Sequence, residues 1–411
     1  MVAQIRSPAA GPTALAVVTC ETAGVRVLVC PDKFAGTLSA PAAAAAIASG
    51  WRDAAPADEV IVRPLADGGP GFLDVLESSL PRAVRHPVRT VGPLGDPVDA
   101  TILLADEPGR ADTAYPDTAY IEAASACGLH LVEPGRRDPT AATTYGVGVL
   151  VAAAVELGVR TVVLGLGGSA TNDGGAGLLA ALGAAPIDEA GYVLPYGGAA
   201  LLACAGLTGP PRLRGATLVG ACDVDAPLLG PRGASAVFGP QKGASPDQVA
   251  LLDAALARWA TVLAQLPSCP PGVTEHPGSG AAGGLGAAIL ACGGRLVGGF
   301  GVVSRAVGLE AALDASDLVI TGEGSFDAQS LGGKVVGGVA AAARARGLPC
   351  LVLAGRVTAD PEAARQAGVT RAYGLVDHLG GDVARALAEP AAGLASLAAT
   401  VARWMSGRTP S

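Results

Sequence analysis

The sequence TVVLGLGGSATNDGGAGLLAAL, residues 161–182, presents a strand, a glycine-rich loop and a helix in direct succession. Residues 161–164 are β-branched or leucine, which is typical of a buried strand. Residues 175–182 are small or apolar and predict a helix. Between them, Ser169, Thr171 and Asn172 stand among glycines. In α/β proteins, a loop that leaves a strand and enters a helix is a frequent ligand site.

The same alternation of strand and helix extends outward in both directions. Strands are predicted at 25–30, 60–65, 218–222, 318–321 and 349–354, and helices at 39–51, 150–157, 335–346 and 388–404. Residues 84–104 predict two strands of a hairpin around 92–97, whereas residues 185–209 are rich in loop signals. This alternation predicts an α/β protein with a mainly parallel sheet.

The composition indicates a well-buried protein of more than one domain. Of the 411 residues, 50% are apolar and 16% are charged, and so long a chain normally divides its core. We expect a loose N-terminal extension over residues 1–24. A Rossmann-like, flavodoxin-like parallel-sheet domain is predicted to be discontinuous, formed by 25–85 and 286–405, with a mixed α/β domain inserted over 86–285.

Charge and cysteine content argue against several classes of protein. A net charge of −8 disfavours nucleic acid as a partner, because binding phosphates takes an excess of Lys and Arg. No apolar run approaches the length of a membrane span, and the N-terminus lacks a signal-peptide core. The eight cysteines form no C-x-x-C pair, which favours neither a disulfide framework nor zinc and fits a reducing cytoplasm.

Five loops carry small and polar residues directly after a predicted strand, at 31–39, 66–71, 165–175, 221–225 and 321–327. The loop 165–175 can bind an anion, because glycines admit it to the backbone and the next helix offers N–H groups. Two alternatives remain for this loop. Its glycines can simply form a tight turn, or Gly165-x-Gly167-x-x-Ala170 can be a dinucleotide fingerprint, although Asp188 and Glu189 are poorly placed as the acidic partner.

The last loop places two carboxylates and a lysine close together in sequence. Glu323 and Asp327 can hold Mg²⁺ or orient a hydroxyl, and Lys334 can neutralise a phosphoryl group. Each carboxylate can instead stabilise a helix N-terminus. Val335 after Lys334 excludes a Walker A motif, and the four isolated histidines disfavour a zinc hydrolase.

Taken together, these loops resemble the bacterial glycerate kinases that phosphorylate D-glycerate with ATP. The resemblance extends from about Val25 to the C-terminal helix and rests on eight motifs in order. They are PDKFxGTLSA (31–40), LADGG (65–69), TYGVG (144–148), GLGGSATNDGGAG (165–177), ACDVD (221–225), FGPQKGA (238–244), AAGGLG (281–286) and TGEGSFD (321–327). The resemblance implies two α/β domains with a cleft between them.

The resulting hypothesis is an ATP- and Mg²⁺-dependent kinase whose favoured product is 2-phosphoglycerate. Asp327 is the favoured general base, with Lys33, Asp67 and Lys334 as further catalytic residues, and Asp223 and Glu323 are the expected metal ligands. The residues expected to bind substrate or phosphate are Asp32, Gly68, Gly69, Gly167, Gly168, Ser169, Thr171, Asn172, Asp173, Lys242, Gly322 and Gly324. The sequence indicates no oligomeric state.

Three positions depart from the pattern of that family. Ala35 stands where a lysine is usual, and Pro70 and Phe72 replace a glutamate and a threonine. Losing a cation, a carboxylate and a hydroxyl could weaken ligand binding or turnover. The alternative hypothesis is therefore a ligand-binding protein that kept the fold and lost catalysis. A dehydrogenase, in contrast, would bind NAD(H).

Overall fold

The computed structural model describes residues 24–34, 36–80, 82–106, 116–332 and 334–405. The strands are β1 (Arg26–Val29), β2 (Glu59–Val62), β3 (Val84–Val91), β4 (Pro97–Ala105), β5 (Thr118–Glu122), β6 (Thr161–Gly165), β7 (Pro186–Ile187), β8 (Gly206–Leu207), β9 (Thr217–Ala221), β10 (Arg295–Val297), β11 (Leu318–Thr321), β12 (Ser325–Phe326), β13 (Cys350–Ala354), β14 (Arg356–Val357) and β15 (Arg371–Gly374).

The helices alternate with these strands along the chain. They are α1 (Ala40–Ala54), α2 (Phe72–Ser79), α3 (Ala124–Cys127), α4 (Tyr145–Glu156), α5 (Ala176–Ala181), α6 (Ala234–Phe238), α7 (Pro246–Leu263), α8 (Ala281–Ala291), α9 (Gly299–Ala306), α10 (Leu309–Asp314), α11 (Val335–Ala345), α12 (Pro361–Ala367), α13 (Leu375–His378), α14 (Val383–Ala388) and α15 (Pro390–Met405). None of these helices, within the described ranges, is long and apolar enough to cross a membrane.

The first sheet has five parallel strands in the order β15-β13-β11-β1-β2. Its central strand pair joins distant parts of the chain, because Val27 of β1 is in register with Leu318 of β11. Helices α1 and α15 cover one face, where Ile47 and Trp51 pack with Leu397. A parallel sheet covered by helices is what the alternating sequence predicts, so the α/β class is confirmed.

The second sheet has six strands in the order β10-β9-β6-β5-β4-β3. Strands β10, β9, β6 and β5 run parallel, whereas β5, β4 and β3 pair antiparallel. The antiparallel pair β3–β4 is the predicted hairpin. The strands of the second sheet come from residues 84–297, and those of the first sheet come from 26–62 and 318–374. The exact domain boundaries near residues 85 and 286 stay a prediction.

A shared apolar layer joins the two sheets. Leu28 and Val319 of the first sheet belong to the same buried cluster as Leu103 and Val163 of the second. Residues on loops that leave either sheet are therefore held at fixed positions relative to each other, because close-packed interiors deform little. This rigid contact is what positions the site described below.

Several local expectations differ from the structure. Helix α4 begins at Tyr145, five residues before its predicted start, and the predicted helix 388–404 begins at Pro390 after a separate α14. The loop-rich stretch 185–209 contains the short antiparallel pair β7–β8. The predicted extension falls mostly outside the described residues, which begin at 24. All seven cysteines within the described ranges are free thiols.

Candidate active site

Loops from both sheets meet around two adjoining cavities of about 680 and 370 Å³. Because parallel strands carry their loops at the same edge, the residues after β1, β2, β6, β9 and β11 converge there. Asp67 and Lys334 line both cavities. These two residues therefore mark the boundary across which a group could pass from one cavity to the other.

The polar wall of the larger cavity is centred on Lys33. Its Nζ lies 3.8 Å from Oδ1 of Asp32 and 3.6 Å from Oδ1 of Asp67. Burial alone would lower the pKa of this lysine, but Asp32 and Asp67 outweigh burial, and its pKa is raised. Lys33 therefore stays charged and available to an anion.

Two carboxylates of the same wall hold protons unusually strongly. Burial raises the pKa of Asp32 to about 6 and that of Glu323 to about 7. Oε1 of Glu323 is buried and has no hydrogen-bond partner. A buried oxygen without a partner is costly, so Glu323 favours a cation or a donor from a bound ligand. Asp32, whose Oδ1 accepts from the N–H of Lys33 at 2.7 Å, is close enough for its charge to raise the pKa of Glu323 further.

Part of the lining of the larger cavity is apolar. It is formed by Leu375 and Val376 of α13 and by Val383 and Leu387 of α14. Leu387 is 61% exposed although it is a leucine. The sequence analysis missed these residues, because apolar positions of short helices carry no signal that separates a ligand wall from a core.

Lys242 is the central cation of the smaller cavity. Its Nζ donates to Oγ of Ser169 at 3.0 Å and to the carbonyl oxygen of Thr171 at 2.7 Å. Among the described residues no carboxylate lies within ion-pair distance of it, and burial lowers its pKa to about 8. A buried ammonium without a carboxylate, beside the hydroxyl of Ser169, is a good partner for a small anion.

Asp223 lies in the same cavity. One of its oxygens, Oδ2, accepts a hydrogen bond of 3.0 Å from the backbone N–H of Phe300 at the start of α9. Burial raises its pKa to about 6, and the nearby charge of Asp67 adds to this. The two predicted metal ligands are separated, since Asp223 lines the smaller cavity and Glu323 the larger. Within the described ranges no three Asp, Glu, His or Cys side chains form a metal cluster.

The glycines of the second and third loops pack against each other. The N–H of Gly167 donates to the carbonyl of Gly68 at 3.2 Å, and a Cβ on Gly167 would lie 2.6 Å from Cα of Gly69. A side chain at Gly322 is excluded in the same way, because a Cβ there would clash with the carbonyl oxygen of Leu353. Thus Gly68, Gly69 and Gly322 serve close backbone contact, Gly168 and Gly324 line the cavities, and Gly167 does both.

Three residues predicted to touch a ligand lie in the interior instead. Thr171, Asn172 and Asp173 have no exposed surface, and none of them lines either cavity. Nδ2 of Asn172 donates to Oγ of Ser235 at 2.9 Å. These side chains support the loop from its buried side, because the loop contributes Leu166, Gly167, Gly168 and Ser169 to the lining of the cavity.

Asp327, the predicted base, lines only the larger cavity. Its Oδ1 caps the turn that follows, accepting from the N–H groups of Gln329 at 2.8 Å and Ser330 at 3.3 Å. Lys334, at the start of α11, lines both cavities. The structure thus gives Asp327 an evident structural task and leaves Asp67 as the predicted carboxylate on the shared wall.

The departures from the family pattern have different surroundings. Phe72 is fully buried and packs edge-on against Tyr120, with ring centroids 6.3 Å apart. The ring of Pro70 would lie 3.0 Å from a Cβ on Gly168, so it packs on the third loop. Ala35 lies outside the described residues.

The smaller cavity also contains residues that the sequence analysis did not assign. Ala282 has a φ of +51° and lines this cavity together with Cys222, Phe238 and Gln241. A positive φ at a residue other than glycine costs energy and is often found at functional sites. The motifs at 221–225, 238–244 and 281–286 were the signal for these positions.

Comparison with known proteins places the chain in a family. The family model described as the glycerate kinase family matches residues 27–406. The chain belongs to the glycerate kinase family. Glycerate 2-kinase of Escherichia coli K12 is 39% identical over 87% of this chain and 92% of its own length. Glycerate kinase of Bacillus subtilis 168 is 41% identical over 86% of this chain and 90% of its own.

The fold of this glycerate kinase family member also matches a solved structure. A crystal structure from Salmonella typhimurium LT2, assigned as a glycerate kinase 2, superimposes with a TM-score of 0.77. It is 38% identical, and the match covers 93% of this chain and 99% of that one. The family resemblance seen in the eight motifs is therefore confirmed at the level of sequence and of fold.

Proposed function

We propose that the protein transfers the γ-phosphoryl group of ATP to a hydroxyl of D-glycerate. The observation that carries this proposal is the pair of adjoining cavities with Asp67 and Lys334 on their common boundary. A kinase needs two neighbouring sites whose reacting atoms meet at one point. Family membership and the names of the relatives support the choice of substrates.

The smaller cavity suits D-glycerate. Its carboxylate can pair with Lys242 and accept from Oγ of Ser169, which are already 3.0 Å apart. Asp223 lines the same cavity and can accept from the hydroxyl groups. A short polyhydroxy acid has these features, an anionic end and hydroxyl donors, so the cavity distinguishes it from glycerol by charge.

The larger cavity suits ATP. The apolar part of its lining, with the exposed Leu387 and Val383, can cover a nucleotide base, and the polar part includes Lys33 and Lys334 for the phosphates. Lys33 and Lys334 also neutralise charge on the transferring group. In this orientation the adenine base of ATP lies toward α14 and its γ-phosphate lies toward Asp67.

The residues also fit Mg²⁺, which this type of transfer commonly needs. Glu323, with its unpartnered Oε1, and Asp32 would hold the ion together with phosphate oxygens and water, since Mg²⁺ is usually bound through one or two carboxylates. When bound, the ion neutralises charge on the phosphates. Asp223, in the smaller cavity, would orient the substrate hydroxyls instead.

The step itself makes one bond and breaks one. The attacking hydroxyl oxygen bonds to the γ-phosphorus, the bond from that phosphorus to the bridging β,γ-oxygen breaks, and ADP leaves. Asp67 accepts the hydroxyl proton, because it is the carboxylate on the shared wall. The E. coli relative is named as a glycerate 2-kinase, and we extend that product, 2-phosphoglycerate, to this chain.

An assay of ADP release tests this function and its rival. With ATP, Mg²⁺ and D-glycerate the protein should release ADP, but not with glycerol or with EDTA. Coupling to enolase identifies the product, because enolase consumes 2-phosphoglycerate directly whereas 3-phosphoglycerate first needs a mutase. ATP binding without any D-glycerate-dependent ADP release would instead support a binding protein that has lost catalysis.

A further inference from the structure

A third cavity, of about 300 Å³, lies apart from the cleft. Its floor is formed by Val163, Val219 and Val297 on adjacent strands of the second sheet, and α9 closes one side. Thr161 and Arg295 stand at the first positions of β6 and β10. The cavity is therefore near the amino ends of these strands, whereas the cleft is at their carboxyl ends.

The side chain of Arg295 belongs to the same face as the valine floor. Residues two apart in a strand point to the same side of a sheet, so Arg295 shares a side with Val297, and Thr161 with Val163. Arg305, in the last turn of α9, lines the cavity from the helix. Two guanidinium groups and a hydroxyl thus border a cavity whose floor is apolar.

Neither arginine has an ion pair or a side-chain hydrogen bond with the described residues. Other arginines do, as Arg82 pairs with Asp106 at 3.1 Å and Arg346 with Asp314 at 2.6 Å. The position of Arg305 in the last turn of α9 can be explained by a favourable interaction with the helix dipole. Arg295 lies on a strand, so this explanation does not apply to it. Two unpaired arginines at one cavity attract an anion, and their planar donor forks match the geometry of phosphate.

We propose that this cavity is a second ligand site that binds a phosphate monoester of a small organic molecule. The phosphate lies between Arg295 and Arg305, and the carbon skeleton contacts the valine floor. The apolar floor argues for an organic phosphate over the free ion, because orthophosphate gains nothing from it.

Helix α9 links this site to the cleft. Its last turn carries Arg305, and at its start the N–H of Phe300 donates to Asp223 in the smaller cavity. A ligand that binds Arg305 thus acts on the helix that orients Asp223. Binding is expected to change turnover without competing with either substrate.

Calorimetry on the full chain tests the site, with glycerol 3-phosphate and orthophosphate as probes and with the cleft saturated by ADP and D-glycerate. We expect glycerol 3-phosphate to bind, and more tightly than orthophosphate. The double variant Arg295→Gln/Arg305→Gln should weaken its binding at least about tenfold. Arg160→Gln is the matched control, since Arg160 is an exposed arginine beside β6 that does not line the cavity.

Three results would overturn the proposal. They are equal binding by the double variant, an equal loss in Arg160→Gln, and orthophosphate binding as tightly as glycerol 3-phosphate. For the link through α9, glycerol 3-phosphate should change kcat by about fivefold in the natural protein and not in the double variant. If glycerol 3-phosphate binds and kcat stays unchanged, the third cavity and the cleft are not coupled through α9.

Discussion

Lys242 is the residue whose protonation should most directly control substrate binding. It is 3% exposed, has no carboxylate partner within the described ranges, and burial lowers its pKa to about 8. The lysine is charged below this pH and neutral above it. The affinity of the smaller cavity for an anion should therefore fall as the pH rises through about 8.

We expect kcat/KM for D-glycerate to decrease above about pH 8 and this decrease to vanish in Lys242→Met. Losing a charge-assisted hydrogen bond, which contributes about 1.5 to 3 kcal/mol of binding free energy, should also lower kcat/KM at pH 7 by roughly ten- to 150-fold. Initial rates over a pH series measure both effects. Ser169→Ala is the control, because it removes a partner of Lys242 and leaves the charge, so the pH dependence should remain.

Unfolding does not explain the same decrease. The pKa of Lys242 is lower in the folded protein than its ordinary value of 10.5, so between these two values the unfolded chain binds more protons. Stability from this group therefore rises with pH in that window. A variant Lys242→Met that keeps the alkaline decrease would assign it to another group.

At the scale of elements, Asp173 joins the amino ends of two helices. Its Oδ2 accepts from the N–H and the hydroxyl of Thr144 before α4, at 2.8 and 2.9 Å, and from the N–H of Gly177 in α5 at 3.1 Å. In Asp173→Asn an NH₂ group, which donates, can replace an oxygen that accepts, and it would then face these donors without bonding to them. The free energy of unfolding should fall by about 3 kcal/mol.

Urea unfolding followed by circular dichroism measures this loss. Asp247→Asn is the matched control, since Asp247 is exposed in the first turn of α7 and should cost about 0.5 kcal/mol or less. The KM for D-glycerate should stay near that of the natural protein in the folded fraction. A stable Asp173→Asn protein with a large increase in KM would return Asp173 to the ligand-binding role predicted from sequence.

The elements that the sequence predicted well have strong local signals. Helix α1 begins where Ser39 caps it and Pro41 enters its first turn, and the β3–β4 hairpin turns at 92–96, between Val91 and Pro97, where the two glycines and two prolines of 92–97 predict it. Helix α7 was missed, although Ser245 and Gln248 form a capping box at its start. That pattern, followed by Pro246 at the first helical position, is a local start signal, so this helix was predictable from the sequence.

The candidate site was predictable as a set of loops but not as a set of side chains. Parallel topology brings strand ends together, so Asp32, Asp67 and Glu323 could be assigned to one cleft. Whether a loop residue faces the cavity depends on tertiary packing, which is why Ser169 lines it and Asn172 does not. The contact between Ser169 and Lys242 spans 73 residues and has no local signal.

For the molecule as a whole, the position of the cleft follows from how the two sheets are joined. Loops of the first sheet carry Asp67 and Lys334, and loops of the second carry Ser169 and Asp223. The shared apolar layer beneath them fixes their separation. A residue that lines both cavities can thus contact the phosphoryl group during transfer, whereas a residue that lines one cavity contacts one substrate only.

The two carboxylates that could accept the hydroxyl proton differ in position, because Asp67 lines both cavities and Asp327 lines only the larger one. Asp67→Asn should lower kcat by about 10²- to 10⁴-fold, the usual contribution of a general base, while both KM values stay within about threefold. Asp327→Asn should mainly raise the KM for ATP, because Asp327 lines only the nucleotide cavity and caps a turn there. Steady-state kinetics with each substrate varied in turn distinguish these patterns, and unfolding curves check that both variants are folded. If Asp327→Asn loses kcat and Asp67→Asn keeps it, the proton acceptor lies on the nucleotide side, and the phosphoryl group is transferred deeper in the larger cavity than its boundary.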